Sequence, residues 1–193
     1  MSWRRLGLGV IPTGAAACGN VAAPRDVMCG SQPVELLPNG SFDLPTPPWV
    51  QDPVTPALLC GMPKITPYNG TQAGCLGGVD GTTQTLSQRV SLPEGVKTLT
   101  LTGQICIATA ETATVDHDVL QLDVIDGANV VATLGTFTNQ QGVAACQFMA
   151  FHRIAAAASD PATATLRLRS TLDANMPTSF YVDGLSLTAS CTP

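Results

Sequence analysis

Ser179-Phe180-Tyr181-Val182-Asp183-Gly184-Leu185-Ser186-Leu187 is the stretch that decides the fold. Phe180 and Val182 alternate with Tyr181 and Asp183, the period of two that a strand with one buried face requires. Leu185 and Leu187 continue the apolar pattern in the opposite phase, so the register slips by one residue. Gly184 stands at the slip, and glycine suits a β-bulge. Such a bulge tilts Asp183 out of the ladder toward a neighbouring loop, where an aspartate is free to act as a ligand.

Upstream, the same period recurs in segment after segment. Leu86, Gln88, Val90 and Leu92 oppose Thr85, Ser87, Arg89 and Ser91, and Pro93-Glu94-Gly95 closes that strand with a turn. Leu99, Leu101, Gly103, Ile105 and Ile107 oppose Thr98, Thr100, Thr102, Gln104 and Cys106. Leu120, Leu122 and Val124 oppose Gln121 and Asp123, and Asp126-Gly127-Ala128-Asn129 turns the chain into a strand from Val130 to Leu134, a hairpin. Cys146 to Ile154 is extended with a muddier alternation; Ala155 to Ala158, stopped by Asp160-Pro161, reads as a connecting turn. Thr163, Thr165, Arg167 and Arg169 then oppose Ala164, Leu166 and Leu168. Eight or nine antiparallel strands are expected, spaced for an all-β, two-sheet β-sandwich.

Composition agrees. Of 193 residues, 45% are hydrophobic, enough for one substantial core, while 12% charged and 5% aromatic residues suit short strands and tight turns better than charged helices. Leu44 to Pro67 carries seven prolines and reads as a long irregular loop, or edge strands at best. Glu35-Leu36-Leu37-Pro38-Asn39-Gly40-Ser41-Phe42-Asp43 is a short strand, an Asn-Gly turn and an extended piece ending on a carboxylate. The domain is therefore expected over residues 34–193, preceded by a tether over residues 19–33 with no periodic apolar face.

The first 18 residues resemble a bacterial lipoprotein signal: Arg4-Arg5, a weakly apolar run from Leu6 to Ile11, then Ala15-Ala16-Ala17-Cys18 with Cys18 as the lipidated residue. The short apolar region, interrupted at Pro12 and Thr13, departs from that pattern. Export to the bacterial cell envelope or beyond also suits seven cysteines, none of which lies in a CxxC or a Cys/His cluster. Membrane attachment would come only through lipid at Cys18. Cleavage there would remove two of the nine basic residues and leave seven against 14 acidic, a balance that argues against nucleic acid as a partner.

The motifs taken together resemble the galactose-binding-like jelly roll, of the carbohydrate-binding-module type found in secreted bacterial proteins. They are Leu37 to Asp43, Leu76-Gly77-Gly78, Leu86-Ser87-Gln88-Arg89-Val90, Asp118-Val119-Leu120 and Phe180 to Leu187. The resemblance implies a non-catalytic binding module, with polysaccharide or surface glycan as ligand; the alternative is a structural or protein-adhesion surface lipoprotein without a sugar site. It further implies a structural calcium between the first and last strands, with Asp43 and Asp183 as the matching carboxylates, although Gly184 stands where a second acid is frequent. Asp118 matches a position where a carboxylate orders loops.

Six cysteines after Cys18 allow 15 pairings. With the chain ends side by side in the resembled fold, the expectation is Cys29 with Cys191, Cys60 with Cys75, and Cys106 with Cys146. Sugar contact in such modules uses aromatic platforms, and outside the leader the candidates are Trp49, Tyr68 and Tyr181, of which Trp49 and Tyr68 lie in the long loop. The two histidines are His117, in Asp116-His117-Asp118, and His152. No nucleophile elbow, zincin motif or phosphate loop accompanies them, so no catalytic residue is assigned.

Overall fold

Phe180 and Val182 are fully buried in the core, and beyond the bulge so are Leu185 and Leu187. Tyr181 and Asp183 face the other way. The computed structural model describes residues 30, 32–46, 48–112 and 114–192. In it the strand β11 (Ser179–Ser190) pairs antiparallel with β6 (Thr98–Ala108), and its register shifts between Asp183 and Ser186, opposite Gln104 and Thr102. Gly184 sits in the shift with φ +56°, a left-handed conformation that glycine adopts without a Cβ penalty. The extra residue turns the second half of the strand over and returns its leucines to the core.

The remaining strands are β1 (Val34–Glu35), β2 (Val50–Asp52), β3 (Leu59–Cys60), β4 (Ala73–Gly77), β5 (Thr83–Ser91), β7 (Val119–Asp126), β8 (Asn129–Thr138), β9 (Met149–Ala156) and β10 (Thr163–Thr171). They form two antiparallel sheets, one in the order β3-β4-β11-β6-β9 with β1 also on β11, the other β2-β5-β10-β7-β8. The chain is an all-β sandwich. Leu99, Leu101, Ile105, Ile107, Phe180 and Leu187 of the first sheet face Leu86, Leu120, Leu122, Leu166 and Leu168 of the second. Burying each such side chain stabilises the fold by roughly 2 kcal/mol.

Among the described residues eleven strands stand against the eight or nine expected: β2 and β3, only three and two residues long, and the fully buried β4 were not read as strands. The proline-rich segment supplies two of these, β2 on one edge of the second sheet and β3 on one edge of the first, where missing N–H donors are tolerated. β9 runs on through Ala155 and Ala156, which were expected in a turn: tertiary pairing with Leu99 and Thr98 overrides their helical propensity. Its muddy alternation has a physical cause. Arg153 takes an inward position at the sheet edge, its guanidinium 4.9 Å above the Phe137 ring, while Ile154 points to solvent.

A second, smaller cluster covers the outer face of the first sheet. Ala73, Cys75, Cys106 and Tyr181 are buried there beneath Cys60, Ile65, Cys146 and Phe148. Disulfides join Cys60 to Cys75 and Cys106 to Cys146 within this layer. They fasten the loops 61–72 and 142–148 over the sheet. The signal-like segment with Cys18, and Cys29 of the expected pair with Cys191, lie outside the described residues.

Candidate functional site

Asp43 and Asp183 come together on one loop. Asp43 Oδ1 accepts hydrogen bonds from Thr71 N–H at 2.7 Å, the Thr71 hydroxyl at 2.8 Å and Gln72 N–H at 3.0 Å. Asp183, fully buried beneath the loop, accepts from Asn69 N–H at 2.9 Å and Gly184 N–H at 2.6 Å. The bulge therefore aims Asp183 at a neighbouring loop, but the loop closes over it and leaves it without solvent access. The backbone N–H of Thr71, first among its donors, lowers the Asp43 carboxyl below the ordinary aspartate range. Burial raises that of Asp183, against the N–H donors that hold it and with the Asp43 charge adding to the rise.

That donor set bears on calcium. A calcium shell needs six to eight oxygens. The groups on these carboxylates are amide and hydroxyl hydrogens, which carry the same sign of partial charge as a cation. As arranged, Asp43 and Asp183 do not fit a calcium site; they act as a clamp on residues 69–72.

The clamp presents Tyr68. Its ring is 58% exposed and meets Phe148 edge to face, with centroids 6.0 Å apart. Phe148 also lines a cleft of about 360 Å³ with Gln141, Val143, Gln147 and Met149. An exposed ring on a loop held by two carboxylates and the Cys60–Cys75 disulfide is an apolar platform, joined through Phe148 to a cleft that carries the Gln141 and Gln147 amides. Trp49 is a different case and corrects the expectation of a second platform. Its ring is 5% exposed, stacks on Phe42 with centroids 4.7 Å apart, and donates Nε1–H to the Asn39 carbonyl at 2.8 Å. It is a core residue that satisfies its polar atom internally.

At the loop end of the sandwich, Asp118 is fully buried and accepts N–H bonds from Asp173 at 3.0 Å and Thr178 at 2.9 Å. It orders loops. Asp116 accepts from the Gln140 side chain at 2.6 Å. The tripeptide Asp116-His117-Asp118 is thus dispersed, and His117 finds other partners. Its Nδ1 lies 2.9 Å from Asp173 Oδ2, and Glu111, His117 and Asp173 form a group that could hold a metal ion. No local pattern joins this group, since 56 residues separate His117 from Asp173. His152 faces solvent on β9.

No protein-family model matches the chain, and no curated protein matches it. Solved structures similar in fold include TmCBM61 in complex with β-1,4-galactotriose, 14% identical with a TM-score of 0.49, over 80% of this chain and 97% of that one. A family 16 carbohydrate-binding module is 18% identical with a TM-score of 0.47, over 77% and 96%. The arabinose-bound α-L-arabinofuranosidase MgGH51 is 11% identical with a TM-score of 0.50, over 80% of this chain and 26% of that much longer one. At 11% identity the likeness to the arabinofuranosidase is one of fold alone.

Proposed function

We propose that this chain is a non-catalytic carbohydrate-binding module whose sugar contact is made by Tyr68. The observation that carries the reading is the exposed, clamped ring beside Phe148 and the amide-bearing cleft. The C–H-rich face of a pyranose stacks on such a ring, and Gln141 and Gln147 offer donors and acceptors to hydroxyls. Holding the ring before the ligand arrives reduces the ordering entropy lost on binding. The non-catalytic assignment is supported by Asp118 and Asp116 being engaged in loop hydrogen bonds and not with His117.

In this reading polysaccharide or a surface glycan is the partner, and the lipoprotein-like signal places the module at the bacterial envelope through Cys18 or, after ordinary cleavage, outside the cell. Calcium at Asp43 and Asp183 is not part of this reading, because N–H and O–H donors already occupy Asp43 Oδ1 and both oxygens of Asp183.

The test is the melting temperature of the oxidised protein against a panel of soluble bacterial and plant polysaccharides, in calcium and in chelator. A ligand at about 100 times its dissociation constant adds roughly 2.7 kcal/mol. The expected result is a dose-dependent rise for one polysaccharide, abolished by Tyr68→Ala and unchanged by chelator. A rise lost in chelator would restore calcium to the clamp. No rise across the panel would overturn the sugar reading in favour of a structural or protein-adhesion role.

A further inference from the structure

The connection from β6 to β7 and that from β10 to β11 each pass from one sheet to the other, and they meet at one end of the sandwich. The first brings Glu111 and His117, the second Asp173, and one ligand atom from each lies within 4.8 Å of the others. Their backbones are positioned by two fully buried side chains. Asp118 holds the N–H groups of Asp173 and Thr178; Asn139 Oδ1 accepts from His117 N–H at 3.0 Å, and its amide donates to the Val115 carbonyl at 3.2 Å.

A separate observation points to a missing ligand. Glu111 Oε2 is shielded from solvent and has no hydrogen-bond partner. A carboxylate oxygen removed from water is costly; burial and the like charges of Asp118 and Asp173 disfavour the ionised Glu111, against the opposing pull of His117 and a side-chain hydrogen bond from Asn139 to its carboxyl group. A doubly charged cation balances the charges of Glu111 and Asp173 with His117 neutral; it replaces the His117 Nδ1–Asp173 Oδ2 hydrogen bond, while the Asn175 backbone and side-chain N–H groups still donate to Asp173 at 2.8 and 3.1 Å. Two carboxylate oxygens and one imidazole nitrogen, with a fourth position for water, suit a tetrahedral zinc better than calcium, which seeks an all-oxygen shell.

We infer that Glu111, His117 and Asp173 form a divalent transition-metal site, zinc by preference, that staples the β6–β7 loop to the β10–β11 loop. It is separate from the Asp43–Asp183 clamp and does not depend on the sugar reading.

The experiment is calorimetric titration of Zn²⁺ alone into the full, oxidised, chelator-stripped protein, with melting curves in Zn²⁺, Ca²⁺ and chelator. One zinc per chain is expected, with a melting rise that Ca²⁺ does not reproduce. His117→Ala is expected to weaken zinc at least about tenfold, while His152→Ala leaves it unchanged. Glu111→Gln gives a signature that simple loss of folding cannot: it relieves repulsion with Asp118 and Asp173, so its metal-free melting temperature stays level or rises, while the zinc-dependent increment disappears. Absence of zinc binding to the unmodified protein would overturn the assignment. So would binding unaltered in both His117→Ala and Glu111→Gln, or a calcium-dependent rise abolished by Glu111→Gln.

Discussion

Asp43 and Asp183 hold the same loop yet should answer acid with opposite signs. The N–H donors of the loop place the folded-state acidity of Asp43 below that of the unfolded chain, so its contribution is fully present above the unfolded pKa and is lost as pH falls through the folded one. Burial does the reverse to Asp183, whose charge costs stability at neutral pH and whose protonation on acidification relieves that cost. Asp43→Asn is therefore expected to be less stable than the unmodified protein at neutral pH, with the gap closing below about pH 4. Urea midpoints across a pH series measure it; a gap that stays constant with pH would show that charge is not what the loop recognises. At this scale residue identity was legible and environment was not. Aspartate in a bulge reads as available, and only the packed loop shows that Asp183 is covered. Tryptophan in a proline-rich loop reads as a platform, and only the stacking on Phe42 shows that Trp49 belongs to the core.

Among the elements, β11 carries the most structure in the fewest residues. Its bulge receives the Asn39-Gly40 turn: Leu185 N–H donates to the Gly40 carbonyl at 2.9 Å, and a Cβ at Gly40 would overlap the Leu185 carbonyl oxygen. Glu35 reinforces the join by accepting from Leu187 N–H at 3.0 Å and from the Ser186 hydroxyl. Gly40→Ala must push this turn off β11, and a cost of about 3 kcal/mol or more is expected. Gly127→Ala, in the open β7–β8 turn at φ +58° with nothing within 4 Å of an added Cβ, should cost only about 1–2 kcal/mol for its left-handed backbone. Equal losses in urea denaturation would contradict the close approach at Gly40. The bulge itself was readable, because a change of alternation phase at a glycine is written in consecutive residues. That the Asn-Gly turn docks on it was not, since nothing local at residue 40 refers to residue 185.

Across the whole molecule, two disulfides and a carboxylate clamp fix the covering loops to the outer face of one sheet. Cys60–Cys75 closes 15 residues and Cys106–Cys146 closes 40. Chain-entropy arguments assign such cross-links about 3 and about 4 kcal/mol through the unfolded state. Replacing Cys60 and Cys75 together by alanine should remove about 3 kcal/mol from the urea stability and loosen the loop under Tyr68, so that polysaccharide affinity falls while the sandwich remains folded. Retained affinity in that variant would mean that the disulfide does not position the ring.

By itself the sequence determined the long strands β5, β6, β7, β10 and β11, the β7–β8 hairpin, the bulge at Gly184 and the all-β class, because period-two alternation and turn chemistry act between residues close along the chain. The tertiary structure decided what depends on distant neighbours: the sheet each strand joins, the burial of Trp49, the loop that covers Asp183, and the meeting of Glu111 and His117 with Asp173. Those outcomes follow from packing two sheets face to face, which brings together side chains that no local pattern connects.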